Sequence, residues 1–491
     1  MNLVLDGHHH KYELESLANM FFQDNKVKVV EGTEMCEGDC LYTSLRQNED
    51  GTVTMQVITR VYDIASEDLW QGKADTDDFE RFCEYHLCRM LYQQLVKATG
   101  IEMAWGMLTG VRPVRLVYRY RERGMTDDQI RNHLHEDYFV SHEKIDLLLR
   151  TANKEKAILD LSRYESFSLY ISIPFCPSRC NYCSFVSHSI ERAKKLIPTY
   201  IELLIREIEY VAPIVKELGL RLETVYFGGG TPTSITSQQL EEIICAIERN
   251  FDLSHLREYT VEAGRPDTIT MEKLEMLKRK GVTRISINPQ TMNDSVLQAI
   301  GRRHTTAQTV EAFRMAREAG HDNINMDLIA GLTGDTYESF CDTIDQVIGL
   351  GPENITLHTL SVKRSSRLGQ NAKEFYLGEH RKVTDMLSYA GKRFREEAYL
   401  PYYLYRQKNT VDNMENVGYC KGDKDGYYNV YIMDETHSII AVGAGGVSKL
   451  RKPGGTLLHR IFNYKYPYEY IERFETVLSR KDEIIRFYRE P

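Results

Sequence analysis

The feature that most constrains the fold of this 491-residue chain is an alternation of strand and helix patterns over roughly residues 165 to 365. The predicted strands are residues 168–173, 224–227, 259–262, 283–288, 323–329 and 354–360. The predicted helices are residues 193–214, 237–250, 271–280, 306–319 and 337–350. Six such units indicate parallel strands joined by crossover helices, either in an open doubly wound sheet or in a full or partial barrel. In both architectures the functional loops follow the carboxyl ends of the strands.

The regions on either side lack this strand–helix alternation. The chain therefore divides into an N-terminal region (1–160), a central α/β region (161–368) and a C-terminal region (369–491). The N-terminal region mixes short strands and helices, with a hairpin whose turn is Asp50-Gly51. The C-terminal region has a helix over 379–397, strand patterns over 428–433 and 438–442, and a final amphipathic helix. Both flanking regions are therefore predicted to be α+β.

Composition narrows the class of protein. The net charge of -9 argues against a general nucleic-acid binder, which needs a basic surplus. No apolar run approaches the ~20 residues that a membrane-spanning helix needs. The ten cysteines are too sparse for a disulfide scaffold, and the N-terminus lacks the pattern of a signal peptide. We therefore expect a cytoplasmic protein whose cysteines are free thiols or metal ligands.

Three cysteines directly after the first strand of the central region form a C-x3-C-x2-C motif: Cys176, Cys180 and Cys183. Thiolates are soft ligands that suit iron–sulfur clusters. Three of them can bind three irons of a cubane and leave the fourth iron open to a ligand. A structural zinc loop is the alternative, with His188 as the fourth ligand.

Further candidate ligand-binding residues stand at the ends of the following strands. The second strand runs into Gly229-Gly230-Thr231, where glycines let the backbone approach a ligand and offer amide donors. In a barrel, the polar groups near the ends of the third to fifth strands converge at one mouth; these are Glu262, Gln290, Arg302 and Asp327. A cationic arginine can neutralise a carboxylate there, and the acidic residues can accept hydrogen bonds from a ribose or an amine.

Taken together, these motifs resemble the radical S-adenosylmethionine (SAM) superfamily. The resemblance implies a partial (β/α)6 barrel with a 4Fe-4S cluster on the three cysteines and SAM on the open iron. It implies that an electron from the cluster cleaves SAM to a 5'-deoxyadenosyl radical, which abstracts hydrogen from a substrate. The SAM-binding residues that it implies are Tyr170, Gly229, Gly230, Thr231, Glu262, Gln290, Arg302 and Asp327.

Within that superfamily, residues 170–176, the Gly-Gly-Gly-Thr-Pro-Thr run and the spacing of Gln290 and Arg302 are similar to oxygen-independent coproporphyrinogen III oxidases (dehydrogenases). The match covers about residues 165–450, and residues 108–113 resemble the longer Gram-positive branch with an extra N-terminal region. The implied reaction oxidatively decarboxylates two propionates of coproporphyrinogen III to give protoporphyrinogen IX in haem biosynthesis. The implied partners are this tetrapyrrole and an electron donor such as flavodoxin or ferredoxin. Whether a second SAM molecule binds is left open.

Two positions depart from the best-known members of that branch. Phe185 stands where they carry a fourth cysteine, and Ser172 stands where they carry a histidine. Members with phenylalanine at this position include a haem chaperone, so a haem-binding chaperone and a radical SAM haem methyltransferase remain alternatives. No catalytic residue is assigned, and the role of residues 1–160 is open.

A porphyrin pocket needs aromatic faces for the pyrroles and cations for the propionates. The C-terminal region offers such groups in a tyrosine-rich stretch, and the candidates are Tyr403, Tyr405 and Arg406. A structural role for this stretch is the alternative.

Overall fold

The computed structural model describes residues 1–22, 27–74, 78–185, 187–361, 382–407, 410–452, 455 and 457–489. They form two compact units. The smaller contains Met1–Leu149 and Arg406–Met414, and the larger begins at Arg150 and contains Asp385–Tyr405 and the described residues from Glu415 onward. The domain boundaries expected at residues 160 and 368 remain predictions.

The smaller unit has a five-stranded sheet in the order β2-β1-β3-β4-β5. Its strands are β1 (Asn2–Asp6), β2 (Lys28–Glu31), β3 (Cys40–Gln47), β4 (Val53–Val61) and β5 (Ile64–Gly72). The first helices along the chain are α1 (Lys11–Phe21), α2 (Phe79–Thr99), α3 (Val114–Glu122), α4 (Asp127–Glu136) and α5 (His142–Leu159). The predicted hairpin is confirmed as β3–β4, and Gly51 adopts the positive φ of +78° that its turn requires. The apolar faces of α1, α2 and β4 share one core, so this region is α+β.

The larger unit contains the parallel strands expected from the strand–helix alternation. They are β6 (Ser166–Ile173), β9 (Arg221–Gly229), β10 (Glu258–Gly264), β11 (Arg284–Ile287), β12 (Ile324–Ala330) and β13 (Asn354–Thr359). Two further strands that were not predicted, β7 (Phe175–Cys176) and β8 (His188–Ser189), form a separate parallel pair. The main sheet has the order β6-β9-β10-β11-β12-β13, so each new strand joins the same side of the last. A doubly wound sheet would reverse direction at a switch point. The fold is therefore the partial (β/α)6 barrel.

Crossover helices connect these strands. They are α6 (Ile190–Ala193), α7 (Ile197–Glu217), α8 (Ser237–Asn250), α9 (Met271–Arg279), α10 (Asp294–Ala299), α11 (Thr306–Glu318) and α12 (Tyr337–Leu350). Local sequence explains where two of them start: Thr236 and Thr305 form capping boxes with Gln239 and Gln308. The predicted helices 237–250 and 337–350 are confirmed to the residue, and the others to within a few residues.

The C-terminal region extends both edges of the barrel sheet. Its elements are α13 (Lys382–Glu396), β14 (Leu400–Arg406), β15 (Glu415–Cys420), α14 (Tyr427–Asp434), β16 (Ser438–Val442), β17 (Val447–Arg451), β18 (Leu458–Phe462), α15 (Pro467–Glu472) and α16 (Phe474–Arg489). Strand β15 pairs antiparallel with β13, and β16 pairs parallel with β6. Through the described residues the sheet is thus an open, eleven-stranded one.

One predicted element is wrong: residues 428–433 form helix α14, not a strand. The run is rich in tyrosine and β-branched residues, and a short apolar run does not distinguish a strand from a buried helix. Tertiary contacts decide in favour of the helix. Its Tyr427 N–H donates to the Glu258 carboxylate at 2.6 Å, and Tyr428 packs its ring 4.2 Å from Tyr226 between ring centroids. Across the described part of the chain, no helix is long and apolar enough to cross a bilayer.

Candidate functional site

The three predicted ligands lie on a loop at the carboxyl end of β6. Strand β7 carries Cys176 and pairs in parallel with β8. Cys180 is buried on this loop, and Cys176 and Cys183 are half-buried. We call residues 176–183 the cysteine loop.

The three thiols of the cysteine loop act on one another. The pKa of Cys183 is raised to about 11, mainly by burial and also by the charges of Cys180 and Cys176, against a backbone hydrogen bond with Phe185. Burial also raises the pKa of Cys176, against a hydrogen bond with Thr231, whose hydroxyl oxygen is 3.3 Å from the sulfur. Grouped thiols that resist ionisation become thiolates when a metal displaces their protons. The donor set therefore fits a metal–sulfur group.

The zinc alternative required His188 as a fourth ligand. The His188 ring instead contacts the rings of Tyr466 and Tyr468, at centroid distances of 5.8 and 6.2 Å. Among the residues that the structure describes, no three His, Cys, Asp or Glu side chains are arranged to hold one metal ion. A cubane cluster makes a different demand, because each thiolate binds its own iron.

Arg302, one of the SAM-binding residues that the resemblance implies, contacts the cysteine loop. Its guanidinium donates to the Tyr182 hydroxyl at 3.2 Å and to the Asn288 carbonyl. Cys180 and Tyr182 raise the pKa of this buried arginine, although desolvation opposes them. The Arg302 Nε atom has no hydrogen-bond partner. A buried cation with an unused donor suits an anionic ligand group.

The structure also brings to the loop a second arginine that the sequence analysis did not single out, Arg265. It follows β10 directly and is only 3% exposed. Its Nη1 donates to the Ser178 hydroxyl at 2.7 Å and to the Ser178 carbonyl at 3.3 Å. Its Nε and Nη2 pair with the Asp267 carboxylate at 2.9 and 2.7 Å. The sequence does contain a clue to Arg265, because a charged residue there directly follows the Glu262–Gly264 segment at the end of a predicted strand.

The glycine run at the end of β9 packs against the chain that leads into the cysteine loop, and SAM binding by Gly229, Gly230 and Thr231 remains a prediction. The amides of Gly230 and Thr231 both donate at 2.8 Å, to the carbonyls of Ile173 and Phe175. They are therefore already engaged by the chain that leads into the cysteine loop. A Cβ on Gly230 would lie 2.6 Å from the Phe175 oxygen, so glycine permits a close backbone approach here.

Glu262 is the centre of a second polar group, inside the barrel. It accepts a 2.6 Å hydrogen bond from the Tyr226 hydroxyl. The pKa of Glu262 is raised to about 7, because burial and the charge of Asp327 together outweigh the opposing hydrogen bond from Tyr226. Tyr170, Tyr226 and Tyr428 stack beside it, and burial raises the pKa of all three phenols.

Gln290 and Asp327 are joined through their backbones. The Gln290 amide donates to the Asp327 carbonyl at 2.9 Å, and Gln290 has a left-handed φ of +72°. The Asp327 carboxylate accepts from the Asn325 side chain at 2.7 Å. Asp327 thus links Gln290 to the Glu262 group, while Thr231 and Arg302 contact the cysteine loop.

The three candidates for a porphyrin pocket have separate surroundings. Tyr403 is buried and stacks with Tyr405 at a centroid distance of 6.2 Å. Arg406 belongs to the smaller unit, where its guanidinium donates to the carbonyls of Leu108 and Asn413 and lies 5.3 Å from the Trp105 ring centroid. These contacts suit a structural role for Arg406, and substrate binding by the three residues remains a prediction.

Comparisons with known proteins identify the family and the fold. A profile of the radical SAM superfamily matches residues 170–347. The chain is 36% identical over 491 residues to the oxygen-independent coproporphyrinogen-III oxidase-like protein HemZ of Bacillus subtilis. The alignment covers 98% of this chain and 97% of HemZ.

Two further relatives match part of the chain. The heme chaperone HemW of Bacillus subtilis is 38% identical over 197 residues, which is 40% of this chain and 51% of HemW. The solved structure of coproporphyrinogen III oxidase (HemN) from Escherichia coli, a radical SAM enzyme, superposes with a TM-score of 0.52 at 22% identity. That superposition covers 66% of this chain and 73% of HemN, and it shows a shared fold.

Proposed function

Because this chain belongs to the HemZ-like, oxygen-independent coproporphyrinogen-III oxidase-like family of radical SAM proteins, we propose that it oxidatively decarboxylates coproporphyrinogen III to protoporphyrinogen IX. The superfamily uses a 4Fe-4S cluster and SAM, and these are the cofactors of this chain. We place the reaction in the cytoplasm, with flavodoxin or ferredoxin as the electron donor.

One observation carries the proposal. The match to an oxidase-like protein extends over 98% of the chain, including the N-terminal region, whereas the match to the heme chaperone covers 40%. A relative that shares nearly the whole chain is a better guide to the substrate than one that shares less than half of it.

The residues of the site have distinct tasks in this proposal. Cys176, Cys180 and Cys183 hold the cluster, and the cluster with bound SAM supplies a 5'-deoxyadenosyl radical. Arg302 supplies a buried positive charge and a free Nε donor beside Cys180 for the carboxylate of the cofactor. Glu262, with a pKa near 7, is held by Tyr226 to accept a hydrogen bond from the ribose or the amine.

Three stacked tyrosines contribute by excluding water. Tyr170, Tyr226 and Tyr428 form a stacked wall beside Glu262, and Tyr170 lies on the strand that leads to the cysteine loop. Such a wall protects a reactive carbon radical from solvent and fixes the position of the substrate's propionate β-carbon. Transfer of one hydrogen atom from that β-carbon to the 5'-deoxyadenosyl radical, loss of the carboxylate as carbon dioxide and transfer of one electron to a one-electron carrier protein would leave a vinyl group.

A haem-binding chaperone is the second candidate, and Phe185 favours it. This residue is 64% exposed on the loop between β7 and β8, where the oxidases carry a further cysteine. An exposed aromatic ring is suited to contact a flat macrocycle. This candidate predicts haem binding without turnover.

The deciding experiment is an anaerobic incubation of the reconstituted protein with coproporphyrinogen III, SAM and a reductant. We expect vinyl products, 5'-deoxyadenosine and carbon dioxide. The matched control is Cys180→Ala, which removes one proposed ligand and should abolish both the cluster's electron paramagnetic resonance (EPR) signal and its shift on SAM addition. Cys341→Ala on α12 removes a thiol elsewhere and should leave the signal unchanged.

The alternatives give different results in the same assay. Tight haem binding with no vinyl product would replace the oxidase with the chaperone, and methylated or ring-opened haem would indicate a methyltransferase. If anaerobically purified wild-type protein bound zinc at the three cysteines, the radical proposal itself would fail.

A further inference from the structure

Arg265 and Asp267 form an ion pair whose positive end faces the cysteine loop; the arginine is buried, whereas the Asp267 side chain is 22% exposed. The carboxylate engages Nε and Nη2 of the guanidinium, on the edge that faces away from the loop. The remaining nitrogen, Nη1, donates twice to Ser178, which is two residues from both Cys176 and Cys180. The pair is thus a dipole of fixed orientation.

The orientation of this dipole is well determined by its surroundings. The Ser178 hydroxyl donates in turn to the Gly301 carbonyl at 3.3 Å, so the loop is held between the segments after β10 and after α10. The Arg265 carbonyl accepts from the Thr268 hydroxyl at 2.8 Å. Because Arg265 is almost fully buried, its charge acts through protein, where electrostatic interactions are stronger than in water.

We propose that the Arg265–Asp267 pair is a positioning device that holds the cysteine loop through Ser178 and makes the cluster easier to reduce. The inference rests on the proposed cluster at Cys176, Cys180 and Cys183. Reduction transfers one electron from the carrier protein to the cluster and no proton, so the cluster and its thiolates gain one negative charge. The guanidinium stabilises that added charge, and the Asp267 carboxylate opposes it.

The test is a redox titration of the reconstituted cluster, followed by EPR, in two variants with opposite expectations. Arg265→Gln removes the positive end, and we expect the ratio of reduced to oxidised cluster at a fixed solution potential to fall about tenfold, a shift of about 59 mV. Asp267→Asn removes the opposing charge and is expected to raise that ratio. A residue with only a packing role does not produce shifts of opposite sign.

Two controls complete the design. Arg303→Gln makes the same change in net charge at an exposed position next to Arg302, and its cluster should titrate like the wild type. Arg265→Lys retains the charge without the paired geometry, so it should keep a potential closer to the wild type than Arg265→Gln does.

The results separate this inference from the proposed function. Equal potentials in all variants, or shifts of the same sign in Arg265→Gln and Asp267→Asn, overturn the electrostatic role. If neither Arg265→Gln nor Arg265→Lys retains iron while the wild type does, Arg265 is required for assembly only and the tuning role is also overturned. A wild-type protein with no SAM-responsive cluster signal instead contradicts the cluster assignment.

Discussion

At the scale of single residues, Gly230 illustrates how closely the barrel strands approach near the cysteine loop. Its amide donates to the Ile173 carbonyl, and any Cβ would contact three backbone atoms, at 2.6, 2.9 and 3.0 Å. Backbone atoms cannot move aside as a flexible side chain can. The glycine is therefore needed for packing between β9 and the chain that leads to Cys176.

We expect Gly230→Ala to lower the free energy of unfolding by about 1–3 kcal/mol, as overpacking does, and to reduce the iron content. Gly349→Ala is the matched control because its Cβ would meet no atom within 4 Å and Gly349 lies in helix α12. That change should be neutral or stabilising by about 0.5–1 kcal/mol. Urea denaturation and iron analysis measure both effects, and equal behaviour of the two variants would contradict the role of Gly230.

At the scale of elements, a buried polar network joins helices α7 and α16 to the loop after β16. The Glu207 carboxylate on α7 accepts from the Gly443 amide at 2.7 Å, from the Tyr470 hydroxyl at 2.6 Å and from the Asn463 side chain at 2.7 Å. It also pairs with Lys481 of α16 at 3.0 Å, and both side chains of the pair are 0% exposed. The network fixes the glycine loop 443–446 beside the end of β6.

Removing one partner of a fully buried ion pair leaves an uncompensated charge. We therefore expect Lys481→Met to lower the free energy of unfolding by about 3–5 kcal/mol, and Glu207→Gln/Lys481→Met to recover part of that loss. Arg314→Ala breaks exposed pairs with Glu311 and Glu318 and should cost less than about 1 kcal/mol. Thermal or urea unfolding tests this, and a loss for Lys481→Met as small as for Arg314→Ala would refute the account.

At the scale of the whole molecule, buried histidines make stability depend on pH. His437 lies between the hydroxyls of Ser162 and Ser168, each 2.8 Å from one ring nitrogen. Burial lowers the pKa of His437 to about 3, and that of His304 to about 4. Both rings are neutral in the folded chain at pH values where the unfolded chain takes up a proton.

Above pH 6.5 the neutral His437 does not lower the free energy of unfolding. As the pH falls from 6.5 toward 3, the free energy of unfolding declines, because the His437 ring then binds a proton when the chain unfolds. We expect His437→Gln to have a flatter dependence of the urea midpoint on pH between 6.5 and 4.5. One histidine accounts for at most about 1.4 kcal/mol per pH unit. His255→Gln changes an exposed histidine and should keep the wild-type dependence of the urea midpoint on pH. If His437→Gln also kept the wild-type dependence, this explanation would be wrong.

Much of the fold was predictable because local sequence encodes periodicity and spacing. The six parallel strands, the crossover helices and the hairpin at Asp50-Gly51 all follow from patterns confined to single short segments of the chain. The spacing of the three cysteines likewise belongs to one short loop. The position of the three cysteines after a buried strand can be predicted from the local sequence, without knowing which strands are its neighbours.

Which segments become neighbours was decided by tertiary structure alone. Strand order selected the partial barrel over the doubly wound sheet, and packing against Tyr226 made residues 428–433 helical. Packing also paired the Gly230 amide with the Ile173 carbonyl, and it brought Arg265 into contact with Ser178, which lies 87 positions earlier in the chain. The local sequence around a residue does not identify the distant groups with which it forms hydrogen bonds, because those groups come within reach only when the long-range contacts form.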